Sequence, residues 1–328
     1  MHAKNSASPR TVNRRVDIEP WKGLNTGFHM IRLGLCCIFR EQPIRFRRTT
    51  AKHLARFDRE EQVQRLAGLC RHNAGALMDA LIFCSDNGIG AFRVNSQILP
   101  LATHPEAGYA LEELPGGPRI RETFENCGCF AREQEIRLSF HPDQFVLLSS
   151  PRTSVTRSSL AELEYQAGVA RWIGADVINI HGGGAYGDKT AARNRLVEVI
   201  NRLDREIRDR LTLENDDRVY TPANLMPVCR QTGVPLVYDV HHHRCLPDGN
   251  SVERTTAAAL STWGREPLFH ISSPLNSGKT GPCRPHHDFI DPKDFPDCWR
   301  DLDLTVEVEA KAKELAIKKL MAELKKVP

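Results

Sequence analysis

The sequence has little that would place it in a membrane or in an oxidising compartment. No run of about 18 apolar residues occurs in its 328 residues, so no transmembrane helix is expected. The N-terminus also lacks the apolar core of a signal peptide. The ten cysteines contain no zinc-type CxxC pair, and Cys36 and Cys37 are too close for an easy disulfide. We therefore expect reduced thiols and a cytoplasmic protein.

Strong charge, internal linkers and short repeats are absent as well. The net charge of +4 permits an acidic partner such as nucleic acid without requiring one. No change of composition marks a linker, and no period of 20 to 50 residues indicates a solenoid. Residues 1–28 are basic, with little hydrophobicity and no periodicity, so we expect a flexible tail before one domain over residues 29–328.

The chain does contain a regular alternation of strands and helices. The predicted strands cover residues 29–36, 91–94, 135–140, 176–180, 211–214, 234–238, 268–270 and 304–308. The main predicted helices cover residues 60–87, 120–132, 158–173, 190–208, 221–233, 251–263 and 311–326. Eight such units in a chain of this length, 41% hydrophobic, predict an α/β fold, a single (β/α)₈ TIM barrel.

The third to eighth predicted strands each end on a side chain that can bind a metal. These side chains are His141, His181, Glu214, Asp239, His270 and Glu309. Taken singly, a strand-end histidine is more often hydrogen-bonded than metal-bound, and a strand-end carboxylate is often a helix cap. The carboxyl ends of barrel strands open on one face, however, so six consecutive units would deliver these groups to one site.

Glu214 is the centre of the predicted site. Its strand buries Leu211 and Leu213, and a carboxylate at the mouth of a core needs a partner or a metal. Imidazole and carboxylate ligands without thiolate suit Mn²⁺, Zn²⁺ or Fe²⁺. The ligands outnumber the four of one zinc, so we expect two or three ions with Glu214 as the bridge. Ions about 3.5–4 Å apart can activate water for phosphodiester hydrolysis.

The segment from Phe39 to Arg59 is rich in arginine and carries interleaved aromatic residues. Its basic residues are Arg40, Arg45, Arg47, Arg48, Lys52, Arg56 and Arg59. Such a loop can lie along a phosphate backbone, or it can be an ordinary solvated loop. The sequence leaves both readings open.

Several long stretches resemble the UV damage endonuclease family over about residues 29–320. They are FHPDQFVLLSSP (140–151), INIHGGGAYGDK (178–189), TLENDD (212–217), VYDVHHH (237–243), HISSP (270–274) and VEAKAKELA (308–316). The resemblance implies a barrel related to apurinic endonucleases and xylose-isomerase-like proteins. It also implies nicking of damaged double-stranded DNA immediately 5′ to cyclobutane pyrimidine dimers and 6-4 photoproducts. The expected cofactor is a manganese-type multi-metal centre, without ATP, a membrane or an obligate protein partner; nucleoid association follows when DNA is bound.

The resemblance implies roles for individual residues too. The implied metal ligands are His141, His181, Glu214, Asp239, His242, His270, His286 and Glu309. His242 is chosen over its two histidine neighbours because the family places a ligand three residues after the aspartate, and His287 is the alternative to His286. His104 matches a histidine near the site and is, with Glu214, a predicted catalytic residue.

Gln144 and Phe145 match a polar–aromatic pair that probes damaged DNA in the family. A phenylalanine wedge can fill the gap that remains when a damaged dinucleotide leaves the stack. The alternative is ordinary packing of Phe145 beneath its loop.

The chain departs from some members at two positions. Leu268 stands where some carry a lysine able to bridge metals, and Leu35 stands where some carry a tyrosine. The second hypothesis is a sugar isomerase or epimerase on a xylose-isomerase-like barrel, which would explain the carboxylates and some histidines but not the number of histidines, the Gln144–Phe145 pair or the arginine-rich loop. The departures at Leu268 and Leu35 motivate a third hypothesis, a damage-binding protein with impaired catalysis.

Overall fold

A computed structural model describes residues 24–25, 30–276 and 283–326 of the chain. The tail predicted over residues 1–28 lies outside this part, apart from a two-residue strand, Leu24–Asn25. There Leu24 pairs with Ile31 and Asn25 with Met30, both antiparallel.

The centre of the fold is a ring of eight parallel strands. They are β1 (Met30–Cys36), β2 (Ala91–Val94), β3 (Arg137–Phe140), β4 (Val177–His181), β5 (Leu211–Glu214), β6 (Leu236–Val237), β7 (Leu268–Ile271) and β8 (Leu304–Val308). Neighbours in sequence are neighbours in the sheet, and β1 also pairs with β8. An isolated parallel bridge between Asp239 and His270 joins the ends of β6 and β7. The predicted single TIM barrel is confirmed.

Helices connect the strands and cover the barrel. They are α1 (Ala51–Leu54), α2 (Arg59–Asp86), α3 (Gly117–Glu133), α4 (Thr153–Ile173), α5 (Lys189–Asn201), α6 (Arg205–Arg208), α7 (Pro222–Thr232), α8 (Val240–Cys245), α9 (Val252–Leu260) and α10 (Glu314–Leu324). The helix predicted over 190–208 is two helices, α5 and α6. None of the described helices is long and apolar enough to cross a membrane.

The sequence did not predict the short helices α1 and α8, and α8 was missed because it begins just after a strand. β6 has only two residues, and Asp239 lies two residues after its last residue, Val237. The Asp239 carboxylate accepts a hydrogen bond from the His242 backbone N–H at 2.7 Å and caps α8. This N-cap stabilises a short helix that the strand pattern around it conceals.

Alternation along the strands separates two faces of the barrel wall. Residues such as Leu33, Ile178 and Val306 are buried in the apolar core that the strands share with the helices. Their neighbours along the strands, including Asn179 and Glu307, hydrogen-bond to side chains of other strands. Side chains of a strand point alternately to its two faces, so the barrel interior is polar near the carboxyl ends of the strands.

Candidate metal centre

Glu214 lies at the carboxyl end of β5, in contact with three histidines from three other segments. Its Oε2 atom lies 2.9 Å from His141 Nε2, after β3. Its Oε1 atom lies 3.2 Å from His270 Nδ1 on β7 and 3.3 Å from His242 Nδ1 on α8. One fully buried carboxylate thus joins segments that are far apart in sequence.

The other predicted strand-end side chains meet around the same carboxylate. Their ligand atoms form three overlapping groups within 4.8 Å: His141, His181 and Glu214; His141, His270 and Glu309; and Glu214, Asp239 and His242. Seven of the eight predicted ligands are therefore brought together. The eighth, His286, lies at the edge, with its Nδ1 atom 3.8 Å from Glu309 Oε2.

Several buried atoms in this cluster make no well-directed hydrogen bond among the described residues. They include Glu214 Oε1, Asp239 Oδ2, His181 Nδ1 and His270 Nδ1, although Glu214 Oε1 lies 3.2 Å from His270 Nδ1. A buried polar atom without a good hydrogen bond costs about 1–3 kcal/mol, and more for a charged group. A cation placed among these atoms would satisfy them, and nitrogen and carboxylate donors suit Mn²⁺, Fe²⁺ or Zn²⁺. The residues therefore fit divalent metal ions.

The cluster also has strongly perturbed proton affinities. Burial opposes the charge of Glu214, but His270 and His181 outweigh it and hold the pKa of Glu214 well below its usual value. Burial likewise opposes the charge of His242, but Asp239 and Glu214 outweigh it and raise the pKa of His242 to about 11. The pKa of His270 is likewise raised by Glu214 and Glu307 against the effect of burial, so protons on His242 and His270 balance the acids of the metal-free protein. A bound divalent ion would replace those protons.

A second layer of polar residues supports the cluster from inside the barrel. Glu307 on β8 accepts a hydrogen bond from Ser139 and lies 3.0 Å from His270 Nε2. Arg93 Nη1 donates to Glu309 Oε1 at 2.6 Å and to Glu307 Oε2 at 3.2 Å. Groups of this kind fix the orientation of metal ligands and raise their basicity.

The sequence contained a signal for part of this layer. Glu307 precedes Glu309 by two residues, so both side chains point to the same face of their strand. Gly34 on β1 pairs with Glu307, and a Cβ atom there would lie 3.2 Å from Glu307 Cγ. Asn179 Nδ2, which donates to Glu214 Oε2 at 2.5 Å, has no comparable signal in the sequence.

The cluster opens into a cavity of about 330 Å³ at the carboxyl ends of the strands. Gln144 lines this cavity with His141 and Glu309. Phe145 is 72% exposed and lines two adjacent cavities instead, one of them shared with Tyr186. Tyr186, in the loop after β4, is a second exposed aromatic residue, and it was not predicted from the sequence.

His104, a predicted catalytic residue, lies apart from the cluster. It lines the cavity next to Phe145, and its Nδ1 atom accepts hydrogen bonds from the backbone N–H groups of Glu106 and Ala107, both at 3.2 Å. The structure therefore does not bring His104 to the ligand groups, and its catalytic role stays a prediction.

The alternative histidines have other contacts. His243 lies 2.8 Å from the Tyr238 hydroxyl and 3.0 Å from Asp248 Oδ1. His287 Nδ1 accepts a hydrogen bond from the backbone N–H of Phe289 at 3.0 Å. His241 stacks edge-on to His286 with ring centroids 5.2 Å apart. The assignment of His242 and His286 as ligands stays a prediction that these contacts favour.

The two departures from the family pattern lie in apolar surroundings. Leu268 packs in a small buried cluster with Val177 and Val237. Leu35 is fully buried in the main core. Neither lines the cavity of the metal centre as the described residues form it.

The comparison with known families decides to which family the chain belongs. A model of the family described as UV-endonuclease UvdE matches residues 31–328. The chain belongs to the UvdE family. This UvdE chain is therefore an endonuclease, as the sequence predicted. It is 32% identical to the UV DNA damage endonuclease of Bacillus velezensis over 287 residues, covering 84% of this chain and 87% of that protein. A relative from Bacillus pumilus is also 32% identical, over 289 residues, with the same shares of the two chains covered.

Solved structures agree with the UvdE assignment. The crystal structure of SacUVDE superposes with a TM-score of 0.81 and 27% identity, covering 90% of this chain and 99% of that one. Endonuclease IV from Thermus thermophilus has a TM-score of 0.57 and 14% identity, covering 90% of this chain and 100% of that one. D-Psicose 3-epimerase from Clostridium cellulolyticum has a TM-score of 0.52 at 14% identity, covering 90% and 97%. The last two likenesses show only the shared fold.

Proposed function

We propose that this chain is a DNA repair endonuclease that nicks the backbone immediately 5′ to ultraviolet photoproducts. The expected lesions are cyclobutane pyrimidine dimers and 6-4 photoproducts in double-stranded DNA, and the expected cofactor is two or three divalent ions, with Mn²⁺ as the first candidate. The observation that carries the proposal is the overlap of three groups of possible metal ligands, two of which contain Glu214, at the mouth of an open cavity.

When bound, divalent ions would supply polarisation of the phosphate and a water whose pKa is lowered toward neutrality. The residues of the chain would hold them in fixed positions. Glu214 offers a carboxylate oxygen to each of two neighbouring groups, which suits a bridging role. Arg93 holds Glu309 in place at 2.6 Å, and Glu307 orients the His270 ring through its other nitrogen. This support lets the ligands keep their geometry as charge develops on the phosphate.

Lesion recognition is assigned to Gln144 and Phe145. A photoproduct weakens stacking and pairing, so it takes less energy to move out of the duplex than an intact dinucleotide does. The exposed ring of Phe145 can enter the resulting gap, and Gln144 can hydrogen-bond from the wall of the metal cavity. We expect the protein to act in the cytoplasm, at the nucleoid when it is bound to DNA.

The test is a nicking assay on a labelled duplex that carries one photoproduct at a known position. We expect one incision directly 5′ to the lesion with Mn²⁺, none after chelation, and none in the undamaged duplex. Tight binding without incision at every metal tested would support the impaired damage-binding protein instead. Intact DNA together with interconversion of ketose sugars would support the isomerase or epimerase.

A further inference from the structure

A buried carboxylate holds residues 40–42 of the arginine-rich loop after β1 in place through hydrogen bonds. Glu314, the first residue of α10, is fully buried. It accepts hydrogen bonds from the backbone N–H groups of Arg40 at 2.7 Å, Glu41 at 2.7 Å and Gln42 at 3.3 Å. Three backbone N–H groups donate to the two oxygens of one buried side chain, so the position of Glu314 fixes the path of the loop at residues 40–42.

A buried amide fastens the other half of the same loop. Asn73 on α2 is fully buried. Its Oδ1 atom accepts from the Arg47 N–H at 2.7 Å, and its Nδ2 atom donates to the carbonyls of Arg47 and Ile98, both at 2.9 Å. A third hydrogen bond joins His72 Nε2 to the backbone carbonyl oxygen of Arg45, 2.8 Å away.

The residue before Glu314 has a strained backbone conformation. Lys313, just before Glu314, has φ 52°, a left-handed value that non-glycine residues rarely adopt. Such a conformation costs on the order of 1–3 kcal/mol and persists only where the surroundings enforce it. A loop of purely solvated charges needs no buried polar anchors such as Glu314 and Asn73.

Arginines of this loop line two separate cavities. Arg48 lines the cavity of the metal centre, and it also lines a second cavity of about 590 Å³. Arg47, Thr50, His53 and Arg65 line that second cavity with it. The exposed side chain of Arg48 therefore borders both cavities. The second cavity also has the cationic and hydroxyl donors that bind phosphate oxygens.

We propose that residues 40–50 form a preset phosphate-binding arm, in which Arg48 contacts the DNA backbone at the edge of the metal centre and the second cavity binds a further phosphate. Glu314 and Asn73 are its positioning residues. The identity of the ligand as DNA rests on the proposed function, whereas the preset geometry of the arm does not. A fixed arm binds with a smaller loss of conformational entropy than a mobile loop.

The first test measures how duplex binding depends on salt. Each lost phosphate contact reduces the slope of log K against log salt by about 0.9 for B-form DNA. We expect this reduction for Arg48→Gln with both undamaged and irradiated duplexes, measured by fluorescence anisotropy. The matched control is Arg205→Gln, which removes the same charge from α6, a helix that leads into the amino-terminal end of β5, and should keep the wild-type slope. A wild-type slope for Arg48→Gln would contradict the proposal that residues 40–50 bind phosphate.

The second test addresses positioning. Glu314→Gln retains one acceptor oxygen but turns an NH₂ group toward backbone N–H donors. We expect faster hydrogen exchange at residues 40–42 and a KM for nicking raised on the order of 10-fold, about 1.4 kcal/mol, with kcat and metal content unchanged. Glu323→Gln, on the same helix, should change none of these. A kcat that falls with KM, or unchanged exchange at 40–42, would overturn the positioning role.

The arm and the proposed function can fail separately. If Glu314→Gln does not fold, the salt slope of Arg48→Gln still shows whether residues 40–50 bind phosphate. If wild-type protein never nicks irradiated DNA but Arg48→Gln reduces the slope, the proposed function fails and the arm stands. If wild-type protein nicks and Arg48→Gln keeps both slope and KM, the arm fails and the function stands.

Discussion

Glu307 lies behind the ligands, and we predict that Glu307→Gln weakens metal binding without removing any ligand. The carboxylate accepts from Ser139 and Arg93 and lies 3.0 Å from His270 Nε2. A glutamine has nearly the same volume but only one acceptor oxygen and no charge. The His270 ring would then lose the anion that fixes its orientation and supports its basicity.

The expected magnitude follows from these contacts. Loss of such an outer partner typically lowers metal affinity 10–100-fold, or about 1.4–2.7 kcal/mol. The effect on the metal-free fold should be smaller than the roughly 3–5 kcal/mol of a wholly broken buried pair, because Arg93 keeps Glu309 at 2.6 Å. We therefore expect the free energy of unfolding to fall by about 1–3 kcal/mol.

Calorimetric titration with Mn²⁺ and denaturant unfolding measure the two quantities. Glu266→Gln is the matched control, since Glu266 binds Arg32 and Thr305 near the amino-terminal end of the same strands, away from the metal centre. It should affect stability and leave metal affinity at the wild-type value. A wild-type Mn²⁺ affinity for Glu307→Gln would refute the role assigned to the inner layer.

Three further predictions follow from the site. Glu214→Ala should abolish turnover and reduce bound metal, measured by nicking and elemental analysis; unchanged activity would contradict the bridging role. Phe145→Ala should keep its metal but cleave damaged duplex on the order of 10-fold more weakly, in line with about 1–3 kcal/mol for stacking on a base, and a loss of metal would show that Phe145 is misplaced. The raised pKa of His242, about 11 against an ordinary 6.5, stabilises the metal-free fold below pH 6.5, and this contribution is lost as the pH rises toward 11. The lowered pKa of Glu214 stabilises that fold above its ordinary 4.5, and this contribution is lost as the pH falls below it. The metal-free Tm should therefore be highest between about pH 4.5 and 6.5, while Mn²⁺ affinity rises with pH because binding displaces protons; a metal affinity independent of pH would contradict this account.

The strands and the strand-end residues were predictable because their signals are local. An apolar pattern of period two followed by a ligand-type residue marks a strand and its end, as at Leu211–Glu214. The barrel rule then places all such ends on one face. The short helix α8 was not predictable in this way. Its N-cap, Asp239, follows β6 so closely that the sequence pattern assigns it to the end of the strand.

The role of the arginine-rich loop could not be decided from the sequence because its anchors are remote. Glu314 follows Glu41 by 273 residues, and no local pattern connects them. Asn179 likewise reads as an ordinary polar residue until the barrel closes and brings Glu214 to it. Such pairs become visible only once the fold sets their distance.

The central claim is that acids and imidazoles from separate strands bind several cations at one end of the barrel. Anomalous diffraction at the manganese edge, from crystals grown with Mn²⁺, tests it most directly. The account predicts two or three peaks, each bonded to the cluster and at least one shared through Glu214. A single peak remote from Glu214, or none at saturating Mn²⁺, would contradict it.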